Sequence, residues 1–298
     1  MKTIINVVGP TAVGKTSLGI YLAKLFNTVV ISADSRQFYK ETTIGTAKPT
    51  IQELSEAKHY FVNNKSITEE YNAGDFERES LKLINDLEQE IIICVGGSGL
   101  YVNGLNFGFD DIPEVNPEIR EKLNKEYQEK GISFLQKEIE MIDPEYANVV
   151  DINNPQRIIR GIEVFRTTGN TLTSYRKKNQ KSRPFKSIFI GLNSDREYLY
   201  NRINKRVDMM LEQGLLKEAK EVYPFKHHPA LKTVGYQELF SFFDGEIDFN
   251  EAVELIKRNS RRYAKRQITW FKKTPEIKWF SPEQKKEIEA YLNSKINQ

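Results

Sequence analysis

A chain of 298 residues with 39% hydrophobic and 29% charged residues has the composition of an ordinary folded protein, long enough to bury one large core or two modest ones. No apolar run approaches the roughly 18–20 residues that a membrane-spanning helix needs, and the single cysteine, Cys94, excludes an internal disulfide and a cysteine-built zinc site, so a cytoplasmic protein is expected. The formal net charge of +3 is uneven: residues 153–186 carry nine Lys or Arg against one acid and residues 251–273 carry eight against two, a pattern that suits a polyanionic partner, with two solvated faces as the plain alternative.

The chain enters a β-rich run, Thr3–Val8, directly after Met1-Lys2, so no cleavable leader is expected. A glycine-containing loop leads to a helical pattern over Lys15–Phe26, then to a second β-branched run, Thr28–Ser32. Phe76–Leu87 reads as a helix, and Ile91–Val95 as a third buried strand in which Cys94 is a packing residue. Nearly all-apolar strands alternating with helices predict a parallel sheet covered on both faces. The pattern changes at Asp110-Asp111-Ile112-Pro113. Helical periodicity without strand character then covers Pro117–Lys130, Ser133–Ile142 and Pro155–Thr167. Two of these open with proline, which suits the first helical position. After the basic linker Tyr175–Pro184, strand character returns at Ser187–Leu192, and the rest reads as helical with a last strand at Ile277–Phe280. The expected fold is α/β. Because Gly9–Thr16 fits G-x-x-x-x-G-K-[ST] between the first strand and the first helix, residues 1–112 and 185–298 are expected to form a P-loop NTPase-like parallel sheet core with a helical C-terminal region, and residues 113–184 an inserted all-helical domain.

Gly9-Pro10-Thr11-Ala12-Val13-Gly14-Lys15-Thr16 fits G-x-x-x-x-G-K-[ST] and lies between a strand and a helix, where the mechanism needs it. Backbone N–H groups there turn toward phosphate oxygens, Lys15 supplies a charge, and the Thr16 hydroxyl suits Mg²⁺. Nucleotide hydrolases also place an Asp at the end of a buried strand. Here Ile91–Val95 instead runs into Gly96-Gly97-Ser98-Gly99. The carboxylate on offer is Asp34, just beyond the second strand, which suits a general base or metal ligand and equally a turn-capping Asp.

Six further blocks make the chain recognisable: SADSRQFYK (Ser32–Lys40), IGTAKP (Ile44–Pro49), VGGSGLY (Val95–Tyr101), NPQRIIRGIEVF (Asn154–Phe165), VGYQEL (Val234–Leu239) and AKRQITWF (Ala264–Phe271). Together with the P-loop they resemble the tRNA dimethylallyltransferase family, in the family's order over roughly residues 4–273. The resemblance implies transfer of a dimethylallyl group from dimethylallyl diphosphate to N6 of the adenosine 3′-adjacent to the anticodon, tRNA position 37. It implies that Gly9–Thr16 hold the donor diphosphate, with Thr16 on Mg²⁺, and that Asp34 takes the N6 proton. It implies too that Ser98, often Thr in the family, touches substrate. An arginine on the helix Tyr198–Leu211 serves the diphosphate, with Arg206 favoured over Arg202. The implied tRNA contacts are Asp34, Ser35, Arg36, Gln37, Ser98, Arg120, Gln156, Arg157, Ile158, Ile159, Arg160, Lys232, Gly235 and Tyr236.

The insertion would grip the anticodon stem-loop. On the helix expected over Glu251–Lys273, Val253, Ile256, Tyr263, Ala264, Trp270 and Phe271 share one arc, and Lys257, Arg258, Arg261, Arg262, Lys265 and Arg266 the other. That basic stripe suits a phosphate backbone. A monomer is expected. Small-molecule P-loop kinases also place an Asp after the second strand, and adenylate isopentenyltransferases use free AMP. Neither needs two basic regions. A non-catalytic RNA-binding protein would leave the intact P-loop without a use.

Overall fold

The computed structural model describes residues 1–176 and 181–297. Its chain order is β1 (Lys2–Val8), α1 (Lys15–Leu25), β2 (Val30–Ser32), α2 (Ile51–Glu56), β3 (His59–Tyr60), α3 (Ala73–Asp86), β4 (Ile91–Gly96) and α4 (Gly99–Phe107). There follow α5 (Pro117–Lys130), α6 (Ile132–Ile142), α7 (Pro144–Val149), α8 (Pro155–Thr168) and α9 (Leu172–Tyr175). The chain then returns through β5 (Phe185–Leu192), α10 (Arg196–Glu212), α11 (Leu215–Val222), α12 (Tyr236–Phe243), α13 (Phe249–Phe271), β6 (Ile277–Phe280) and α14 (Lys285–Ile296).

Among the described residues six strands form one sheet in the order β3-β2-β4-β1-β5-β6, and every pairing between neighbours is parallel. β1 is central, and its Ile4, Ile5, Val7 and Val8 have no exposed surface, as a strand covered on both faces requires. The register places Val8 opposite Gly96 and Gly191, and Ser32 opposite Val95, so β1, β2 and β4 release their following loops at one edge. Ligands of open α/β sheets bind beyond that edge. The expected α/β fold is borne out.

The chain divides into two compact units, residues 1–107 with 182–298, and residues 108–181, against expected boundaries at 113 and 184. The second unit is all-helical among its described residues, built on Leu123, Leu135, Ile139, Ile158, Ile159 and Ile162, which have no exposed surface. Three of its helices, α5, α7 and α8, start where a side chain supplies the missing backbone acceptor. Asn116 caps α5, Asp143 caps α7 and Asn154 caps α8, each followed by proline. α7 goes beyond the sequence expectation: a six-residue helix is too short to display a period, although Asp143-Pro144 carries a start signal. β3, two residues long, escapes for the same reason. Within the expected basic linker, Lys177–Gln180 lie outside the described residues.

Candidate active site

β1 runs into Gly9–Thr16, and α1 begins at Lys15. Gly9, Ala12 and Gly14 take φ values of 146°, 64° and 111°. A non-glycine residue such as Ala12 in the left-handed region costs about 1–2 kcal/mol, so the loop's surroundings must hold it. Arg202 Nε donates to the Ala12 carbonyl at 2.8 Å, and Gln267 Oε1 accepts from Thr11 N–H at 2.8 Å. Lys15 Nζ donates to the Pro10 carbonyl at 2.7 Å, and Arg206 Nη1 to Thr11 Oγ1 at 3.2 Å. Both candidate arginines of α10 therefore reach the P-loop, Arg202 at backbone and Arg206 at a side chain.

The charges of Lys15, Arg206 and Asp34 act on one another across the P-loop. Burial pulls the Lys15 ammonium down to about 8, with Asp34 opposing the shift and Arg206 adding to it. Burial also lowers Arg206, helped by the neighbouring Arg202 and opposed by Glu53 and Asp34. Asp34 retains some exposed surface, yet the protein crowds it closely enough that desolvation raises its pKa above the usual carboxylate value. The Arg36 N–H, which donates to Asp34 Oδ1 at 3.0 Å, and the charges of Lys15 and Arg36 hold that rise in check. Cations confined at a loss of hydration stand ready for an anion, whose arrival relieves the repulsion between them.

Ser98, from the loop after β4, binds the loop that carries Asp34. Its Oγ accepts from Ser35 N–H at 2.9 Å and donates to Ser35 Oγ at 3.1 Å. Gln37 accepts from Ser32 Oγ at 2.9 Å and donates to the Ala47 carbonyl at 3.1 Å, tying the Asp34 loop to the segment Ile44–Pro49. Tyr263 of α13 lies beside Ser98, its phenol pushed up to about 12 by burial and by the Asp34 charge. Thr16 lines a small recess with Ser32 and Gln37. No group of three or more His, Cys, Asp or Glu among the described residues forms a metal site. Thr16 offers a hydroxyl oxygen beside the P-loop, a hard donor of the kind that Mg²⁺ takes.

The family profile described as IPP transferase matches residues 37–274. The chain belongs to the IPP transferase family. A tRNA dimethylallyltransferase from Christiangramia forsetii is 51% identical over 297 residues, covering 99% of this chain and 98% of the relative. One from Cytophaga hutchinsonii is 50% identical over 299 residues, covering 100% and 98%. Among solved structures, the full-length tRNA isopentenylpyrophosphate transferase from Bacillus halodurans matches with a TM-score of 0.73 at 35% identity, covering 100% of this chain and 97% of that one. A eukaryotic dimethylallyltransferase acting on tRNA matches with a TM-score of 0.84 at 26% identity, covering 100% and 80%.

In this member of the IPP transferase family, several residues expected to touch tRNA have other work. Tyr236 has no exposed surface, and its hydroxyl donates to Glu218 Oε1 at 2.6 Å, so it braces the core. Gly235 is buried, and its N–H donates to Glu238 at 2.8 Å. Ile158 and Ile159 are likewise fully buried, as core residues of the helical unit. Arg160 and Arg120 flank the buried Glu163 at 2.8 and 3.4 Å, where they compensate its charge while part of each side chain stays exposed. Gln156, Arg157 and Lys232 are exposed. Arg36 is anchored by a 3.1 Å bond from Nη1 to the Pro229 carbonyl.

The α13 stripe is partly committed within the protein, since Lys257 pairs with Asp208 at 2.8 Å and Arg261 Nη1 donates to Asn204 at 2.6 Å. Arg258, Arg262, Lys265 and Arg266 are exposed. Trp270, assigned to the apolar arc, is 37% exposed. Sequence reasoning missed Gln267 and Glu218. The signal for Gln267 was a polar residue on the arc of Ala264 and Phe271. Glu218 carried none, because its partners are distant in sequence.

Proposed function

We propose that the chain transfers a dimethylallyl group from dimethylallyl diphosphate to N6 of the adenosine at tRNA position 37, beside the anticodon, and releases diphosphate. The observation that carries this reading is the P-loop with its cations: Lys15 Nζ reaches the Pro10 carbonyl at 2.7 Å, Arg206 Nη1 reaches Thr11 Oγ1 at 3.2 Å, and the Asp34 charge acts on both. The two cations and the P-loop N–H groups receive the diphosphate. As the bond between the allylic carbon and its oxygen breaks, negative charge builds on the departing diphosphate where these groups stand. The N6 lone pair forms the new carbon–nitrogen bond, and the N6 proton passes to the Asp34 carboxylate. Asp34's raised proton affinity suits that step, because a base works best with a pKa closer to the working pH. Adenine N6 donates its lone pair into the ring, so a positioned base matters here.

Mg²⁺ belongs to this reading: Thr16 would hold it, and it would add positive charge against the leaving group. The adenine must leave the anticodon-loop stack to reach Asp34, and Ser35, Arg36 and Gln37 receive it. The exposed Gln156 and Arg157, with the open sides of Arg120 and Arg160, support a grip of the helical unit on the anticodon stem-loop. Among the described residues no helix is long and apolar enough to cross a membrane, and a cytoplasmic monomer fits the reading. Incubation with labelled dimethylallyl diphosphate and unmodified tRNA, followed by nucleoside analysis, should give N6-dimethylallyladenosine. Unlabelled tRNA together with ADP formed from ATP would replace the reading by a kinase.

A further inference from the structure

Gln267 is 5% exposed and lies on α13, far in sequence from the two loops it touches. Its Oε1 accepts from Thr11 N–H at 2.8 Å, inside the P-loop. Its Nε2 donates to the Gly97 carbonyl at 2.9 Å, in the loop that carries Ser98. The orientation of the amide is forced by chemistry: a backbone N–H accepts nothing and a carbonyl donates nothing, so only one of the two flips satisfies both partners. The approach is close. A Cβ on Gly97 would lie 2.2 Å from Nε2 and 3.5 Å from Lys15 Nζ, so glycine at 97 is what lets the amide reach both loops beside the Lys15 ammonium. One turn earlier on α13, Tyr263 lies beside Ser98.

We infer that Gln267 is a positioning residue for the transfer reaction: its amide fixes the P-loop, which holds the donor, against the Gly97-Ser98 loop, which holds the Asp34 loop through Ser35. Asparagine carries the same amide one methylene short, and glutamate matches the donor and acceptor only when it is protonated. A buried cross-link between two ligand-bearing loops sets their separation, and a displacement of about 1 Å between reacting groups costs on the order of 10²-fold in rate. The inference rests on the proposed donor site, and its test separates the two.

Gln267→Glu is the discriminating variant. A carboxylate still accepts from Thr11 N–H but opposes the Gly97 carbonyl with an unshared pair and places a negative charge beside the diphosphate. A protonated Glu carries one donor and one acceptor and so restores both bonds. The ratio of variant to wild-type kcat/KM for dimethylallyl diphosphate should fall about 10²-fold at pH 8 and climb back as pH drops toward 6. Gln267→Met, which fills the space without either bond, should lower the same parameter at every pH, with KM for tRNA unmoved. Binding of inorganic pyrophosphate, followed by calorimetry, should show the same pH pattern for Gln267→Glu without any turnover. A pH-independent ratio for Gln267→Glu, or both variants within about three-fold of wild type, overturns the inference. If Gln267→Glu does not fold, the Met variant and its pyrophosphate affinity decide alone. A wild-type protein that binds pyrophosphate but does not prenylate tRNA would sink the proposed function and leave the pyrophosphate test of Gln267 standing.

Discussion

Lys15→Met should make the protein more stable while abolishing its use of the donor. Burial pulls the pKa of the Lys15 ammonium from 10.5 to about 8. A folded-state pKa below the unfolded one means that the fold disfavours the charged form. The penalty is fully present below about pH 8 and disappears as pH rises through 10.5, where the unfolded chain also loses its proton. At about 1.4 kcal/mol per pH unit, that gap corresponds to about 3 kcal/mol at pH 7. Methionine keeps the apolar stem but gives up the bond to the Pro10 carbonyl, which returns about 1 kcal/mol. The net expectation is a gain of about 2 kcal/mol, read from urea unfolding in phosphate-free buffer at pH 7. The advantage should shrink at pH 10. Pyrophosphate should then raise the stability of wild type by mass action and leave the variant where it was. A variant no more stable than wild type at pH 7 would show that Asp34 and the Pro10 carbonyl fully compensate the buried charge, and would refute the picture of confined cations awaiting an anion.

Glu218 accepts from the N–H groups of Thr43, Ile44 and Gly45 at 2.8, 2.8 and 2.9 Å as well as from Tyr236, so Glu218→Ala should destabilise the protein. The loss should be about 3–5 kcal/mol by urea unfolding, and adding Tyr236→Phe should return about 1–2 kcal/mol by removing the orphaned hydroxyl. The donor kcat/KM should fall as pH rises past about 8, when free-enzyme Lys15 loses its proton. kcat should hold to higher pH, because bound diphosphate keeps that proton in place. On the acid side transfer should fall through a pKa above the usual carboxylate value, as Asp34 takes up a proton. Replacing the exposed Arg258, Arg262 and Arg266 by Ala should flatten the log–log salt dependence of tRNA affinity by about 2 units, at roughly 0.7–0.9 per phosphate contact. Arg261→Ala, whose guanidinium is held by Asn204, should leave that slope unchanged.

Local patterns were legible before any coordinates. β1, β2 and β4 are short runs of apolar residues, the P-loop is a contiguous motif, and Asp34 follows its strand by two residues, so period and spacing alone placed them. What lay beyond reach was assembled across the fold. Glu218 gathers the N–H groups of residues 43–45 from the far side of the sequence, and nothing local to α11 announces it. Tyr236 sits in a recognisable block, but whether such a block meets a ligand or the core is a matter of burial, which the block does not carry. The stripe on α13 had the right period. Its partners Asp208 and Asn204 on α10 decided which cations stay free. Gln267 was overlooked because a polar residue on an apolar arc reads as a defect until Thr11 and Gly97 supply its partners.

Single-turnover transfer by Asp34→Asn, with tRNA and dimethylallyl diphosphate saturating, tests the role of Asp34 as base most directly. The amide keeps the size of the side chain and can still accept from the Arg36 N–H, which donates to Asp34 at 3.0 Å. Pyrophosphate and tRNA should therefore still bind, while transfer slows by about 10²–10⁴-fold, the usual worth of a positioned general base. Transfer within a few-fold of wild type would contradict the account and assign the N6 proton to another acceptor.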